Sequence, residues 1–234
     1  MKHIFSIITI GCTVLIGACG GGGGGGTPAP TVPVAAALSF PLKTAFSSTV
    51  ANGSTRQLTV SGSCNGTANL TSAAAVGGAT FEGISGRLSA ARTLTISLTN
   101  CTPASIASTQ TIYYDSNYTP LGTNTVGGEY GVFLTAPNIP TSAKVGDTGT
   151  IGTMTRYTNS TKTVLAGQSV SSYVVEADTA STAILNSISK LYNASNVLIA
   201  TEQDRYRIST TGTPTLVSID IQYANGSTTH LVLQ

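Results

Sequence analysis

Along much of this chain, apolar residues alternate with threonine and serine. The clearest run is Thr93-Leu94-Thr95-Ile96-Ser97-Leu98-Thr99. Strict alternation places every apolar side chain on one face of a strand. Leu58 and Val60 share a parity with Cys64. Asn65-Gly66 then offers a tight hairpin turn, because both residues tolerate positive φ. Ala68 and Leu70 return on the partner strand. Further strands are predicted over Gln110–Tyr114 and Glu129–Thr135. A boundary falls at Ala136-Pro137-Asn138-Ile139-Pro140.

The second half predicts strands over Thr150–Tyr157, Val170–Ala177, Thr182–Tyr192, Val197–Ile208, Leu216–Tyr223 and Thr228–Leu233. Turn residues separate them at Asn159-Ser160, Ala166-Gly167, Asn193 to Asn196, Thr211 to Pro214 and Asn225-Gly226. One segment is ambiguous: Ile184, Ile188, Leu191 and Tyr192 also fit a helical stripe. Tyr157, Tyr173, Tyr192, Tyr206 and Tyr223 fall about one per strand. They predict an aromatic band across a meander, with a sugar- or ligand-binding face as the functional alternative. The expected fold is all-β: a disulfide-linked β-sandwich-like half over residues 38–138, then an antiparallel β-meander over 139–234.

The N-terminus departs from this texture. Met1-Lys2-His3 precedes an apolar run from Ile4 to Ile16. That run is too short to span a bilayer, which takes roughly 20 apolar residues, and it suits a signal peptide. It ends in Leu15-Ile16-Gly17-Ala18-Cys19, followed by seven glycines and Thr27-Pro28-Ala29-Pro30-Thr31-Val32-Pro33. This arrangement resembles the lipobox and glycine-rich tether of uncharacterised outer-membrane lipoproteins of Gram-negative bacteria. The resemblance implies cleavage after residue 18 and acylation of Cys19 with diacylglycerol and a further acyl chain. It also implies outer-membrane sorting, because Gly20 rather than Asp follows the cysteine. The partner would be the lipid bilayer, with the protein facing the periplasm or the cell surface. Treated as a coil, residues 20–37 span roughly 20–25 Å.

Composition narrows the chemistry. Charged residues make up 9% of the chain, against a typical ~25%, and no like-charged run occurs. A nucleic-acid partner would want a basic stripe, so none is expected. Beyond Cys12 and Cys19, only Cys64 and Cys101 remain. In an exported chain they read as one disulfide, the alternative being two buried thiols. Two thiolates and the single mature histidine, His230, are too few ligands for zinc. No metal and no cofactor are expected.

Four segments carry residues that chemistry could use. Gly62-Ser63-Cys64-Asn65-Gly66 has the spacing of a nucleophile elbow, but it lacks the helix and histidine that such a device needs. Asp147-Thr148-Gly149 resembles the aspartic-protease signature, which requires a second aspartate. Asp115-Ser116-Asn117 supplies too few oxygens for calcium and predicts a capped turn. His230 would have to serve any Ser-His-Asp triad. The expected function is a non-catalytic envelope module that binds an unidentified protein or glycan partner or supports surface structure. A hydrolase or protease using Asp147 or His230 is one alternative. A carrier of apolar cargo is another, and it predicts a large apolar cavity.

Overall fold

The computed structural model describes residues 38–234. The signal segment, Cys19 and the Gly/Pro tether lie outside the described residues. The chain enters through β1 (Ser39–Phe40) and α1 (Leu42–Asn52). Then come β2 (Ser54–Gly62), β3 (Gly66–Ser72), β4 (Val76–Phe81), β5 (Ile84–Leu98), β6 (Ser105–Tyr114), β7 (Pro120–Thr125) and β8 (Tyr130–Phe133). After β9 (Ala143–Lys144) follow β10 (Thr148–Tyr157), β11 (Leu165–Ala177), β12 (Thr182–Asn193), β13 (Leu198–Ser209), β14 (Pro214–Tyr223) and β15 (Thr228–Leu233).

The described residues are all-β apart from α1, and their strands close into one 12-strand antiparallel barrel. Two pairings close the ring. β15 hydrogen-bonds to β2, with Leu231 opposite Val60. β3 pairs with the second half of β5, with Leu70 opposite Leu94. The first half of β5 instead pairs with β4, which stands outside the ring. This differs from the expected sandwich-like half and separate meander. β8 pairs with β10 and β15 with β2, so strands from both halves share one ladder. Alternation reports which face a residue takes, not which strand lies beside it. The ambiguous segment is the strand β12. A sandwich would have put the cysteines on facing sheets. Instead, Cys64 and Cys101 sit in the β2–β3 and β5–β6 turns at one end of the barrel, bridged at a Cα–Cα distance of 5.8 Å.

Register assigns the two faces. Leu233, Leu58, Ala68, Ile96 and Ile106 form one inward row across five strands. Thr55, Thr71, Thr93 and Thr109 form an outward row. Threonine hydroxyls touch along that row, Thr55 to Thr71 at 3.4 Å and Thr93 to Thr109 at 3.2 Å. The outward face is therefore hydroxyl-rich over these strands. A lipid-spanning barrel presents the reverse, an apolar outward band.

One outward patch is apolar and covered. The β4–β5 hairpin folds back over the wall. Phe81 stacks on Tyr113, with ring centroids 4.6 Å apart, and lies 5.6 Å from Tyr130. Gly122, opposite Tyr113, makes this close approach possible. A Cβ there would meet the Phe81 ring at 2.4 Å and the Gly131 carbonyl oxygen at 2.1 Å.

The helix was not among the expected elements, although Leu42, Ala45, Phe46 and Val50 carry helical spacing. Pro41 precedes its first turn, a position that costs no backbone hydrogen bond. Gly53 ends it at φ +64° with its N–H donated to Thr49.

Candidate binding cavity

An eight-stranded barrel is just wide enough for its own side chains to fill, and more strands widen the lumen. Twelve strands therefore leave space that something else must occupy. At the disulfide end the filling is apolar. Leu58, Val60, Ile96, Leu191, Ile219 and Leu231 are all buried in one cluster. At the opposite end α1 closes the lumen. Leu42 and Ala45 pack with Phe40, Val175 and Ile208, while Val50 packs with Ala90 and Tyr114. Phe46 meets Tyr114 edge-on at 6.4 Å. Pro41 and Thr44 approach the β13–β14 turn at Gly212.

Between helix and core lies a cavity of about 450 Å³. This falls within the range of small-molecule pockets, roughly 300–1,000 Å³. Its wall is mostly apolar and includes Ala90, Ile112, Met154, Leu185 and Leu216. Arg92, Gln110, Ser171 and Ser187 reach it from β5, β6, β11 and β12, and Asn52 and Arg56 line it where α1 runs into β2.

Arg92 faces inward because it shares the parity of Leu94 and Ile96. It is 9% exposed, and its Nε has no hydrogen-bond partner. Opposite it in register, Gln110 donates to Thr125 at 3.3 Å, while its Oε1 is unpartnered. Glu202 and Asp204 face inward from β13, both fully buried, with no hydrogen bond to any of their four carboxyl oxygens. Burial pushes the Glu202 carboxyl well above its usual range, and neighbouring Asp204 pushes it further. Burial also raises Asp204, to about 6, against the pull of Arg92. Burial likewise raises the phenols of Tyr114 and Tyr206. Removing ions from water is costly unless they are closely paired, so the Arg92 guanidinium and the Glu202 and Asp204 carboxyls stand out in the lumen.

The residues singled out from sequence fall elsewhere. Cys19 lies outside the described residues. Cys64 and Cys101 form the disulfide. Asp147 closes a turn, accepting the Lys144 N–H at 2.8 Å. Asp115 accepts the N–H groups of Asn117 and Thr119, both at 2.8 Å, as a capped turn should. His230 is on the outward face, its Nδ1 against Asp220 Oδ1. Ser218 donates to the other oxygen of the same carboxylate at 3.1 Å. The carboxylate thus sits between serine and imidazole, whereas a triad needs the imidazole in the middle. The tyrosine band does not form. Register turns Tyr173, Tyr206 and Tyr223 inward and Tyr157 and Tyr192 outward.

Arg92, Glu202 and Asp204 were missed. The signal was present: extending the Leu94 alternation by one step reaches Arg92, and Glu202 and Asp204 share the parity of Ala200. Comparison with protein-family models, curated proteins and solved structures finds no match to this chain.

Proposed function

We propose that this chain is a lipid-anchored envelope protein whose barrel holds one apolar small molecule in the cavity beneath α1. The observation that carries the reading is the mostly apolar cavity of about 450 Å³ inside a barrel with a hydroxyl-rich outward face. Burial of apolar surface drives such binding at about 25 cal/mol per Å² of area removed from water. The expectation of a binding module thus becomes specific to apolar cargo, with no catalytic step. The anchor is acylated Cys19, and the tether keeps the barrel within a few nanometres of the outer membrane.

Two measurements test this. The full chain should bind the neutral fluorophore phenylnaphthylamine and release it to hexadecanol. Leu185→Trp, which fills the cavity, should abolish both effects without unfolding the barrel. Binding unaffected by Leu185→Trp would place the ligand elsewhere and refute the reading. Separately, cells fed radiolabelled palmitate should label the protein, and Cys19→Ser should remove the label. Undiminished labelling of that variant would sink the anchor.

A further inference from the structure

We propose that Arg92 makes the cavity selective for amphiphiles with one anionic head, a fatty carboxylate or an alkyl phosphate, whose apolar chain lies under α1. This rests on the cavity's being an apolar binding site and names the ligand class for that site.

Arg92 places a buried cation in the cavity wall. Arg92 lines the cavity and is nine-tenths buried, with Nε unpartnered. Among the described residues Arg92 takes part in none of the ion pairs. The lumen's own acids do not satisfy it. Glu202 and Asp204 feel its charge, yet neither forms an ion pair with it, and neither lines the cavity. Burial and neighbouring Asp204 both raise the Glu202 carboxyl, which disfavours its charged form. A guanidinium presents a planar fork of donors suited to two oxygens of one carboxylate or phosphate. A head bound there would gain charge-assisted hydrogen bonds and relieve a buried charge. Ser187, Ser171 and Gln110, also in the wall, extend the polar rim around that point. Ala90, Ile112, Leu185 and Leu216 in the same wall suit a hydrocarbon chain.

The test uses the full chain, delipidated, at neutral pH. Hexadecanoic acid, hexadecyl phosphate, hexadecanol and hexadecylamine are titrated in turn. One or both anions should bind at least about tenfold tighter than the alcohol, the worth of a single charge-assisted hydrogen bond. Preference between the two identifies the head as carboxylate or phosphate. Arg92→Met should reduce anion affinity to that of the alcohol measured on the same variant. Asp204→Asn, a second variant, removes a competing negative charge and should tighten the anions at least about threefold. Equal affinity for acid and alcohol, or tighter binding of the amine, overturns the assignment of Arg92 while preserving the apolar site. Failure of all four ligands overturns the apolar site itself.

Discussion

Asp204→Asn should stabilise the barrel at neutral pH and remove part of its pH dependence. Asp204 is fully buried, none of its oxygens is hydrogen-bonded, and its carboxyl titrates at about 6 instead of its ordinary 3.8. The folded state therefore binds this proton more tightly than the unfolded state does. Stability is highest below the unfolded value, falls as pH rises from about 4 to about 6, and stays reduced above that. The shift of about two units, at ~1.36 kcal/mol each, corresponds to roughly 3 kcal/mol. That figure already includes the attraction of Arg92, which holds the carboxyl down. Asparagine keeps the shape and carries no charge in either state. Equilibrium urea unfolding of the full chain at pH 4, 5, 6 and 7 reads the difference between variant and wild type. The difference should be near zero at pH 4 and grow to at most about 3 kcal/mol at pH 7. Asp204 also raises the Glu202 carboxyl, so Asp204→Asn lowers that neighbour too and the measured difference belongs to the coupled pair. A difference independent of pH, or a variant less stable than wild type at pH 7, would refute the reasoning.

Two further predictions concern the barrel wall. Converting both Cys64 and Cys101 to Ser opens a loop whose ends are 37 residues apart. It should cost about 4 kcal/mol on the chain-entropy estimate, and reductant should lower the midpoint of wild type but not of the variant. Gly122→Ala drives a methyl into the Gly131 carbonyl and the Phe81 ring. It should destabilise by about 1–3 kcal/mol, as overpacking does, and should alter the near-ultraviolet circular dichroism of the stacked Phe81 and Tyr113. A neutral result would show that the hairpin is not seated on that wall.

Most strands were legible because alternation is local. Thr93 to Leu98 lies within β5, and the Asn65-Gly66 turn leads into β3. Closure was not legible, since the contact of β15 with β2 joins residues near opposite ends of the described chain. Gly-rich β4 and short β7 carry little alternation to read. Ala166-Gly167 was read as a turn, yet it lies inside β11. Gly167, at φ +141°, sits beside a register shift between β10 and β11. The disulfide was legible from cysteine count and export context, and its place between adjacent turns required the ring. The cavity was invisible for a simpler reason. Sequence parity marks a residue as inward without saying how wide the interior is, and the width depends on the number of strands that close.

That width also explains why polar burial is tolerated at one end of the barrel. The disulfide end is crosslinked and filled with aliphatic side chains, so it can carry the stability of the fold. The other end is closed by an 11-residue helix with no side-chain N-cap. Helices shorter than ~12–15 residues are marginal alone, so α1 depends on packing through Leu42, Ala45, Phe46 and Val50. All four form the cavity's own rim: Leu42, Ala45, Phe46 and Val50 line it. A ligand filling the cavity therefore adds contacts to the face that seats the helix. By linkage, whatever binds the helix-seated state stabilises that state in turn. Arg92 lines the same cavity, so an anion bound there would add its contacts where the helix is least secured by its own sequence.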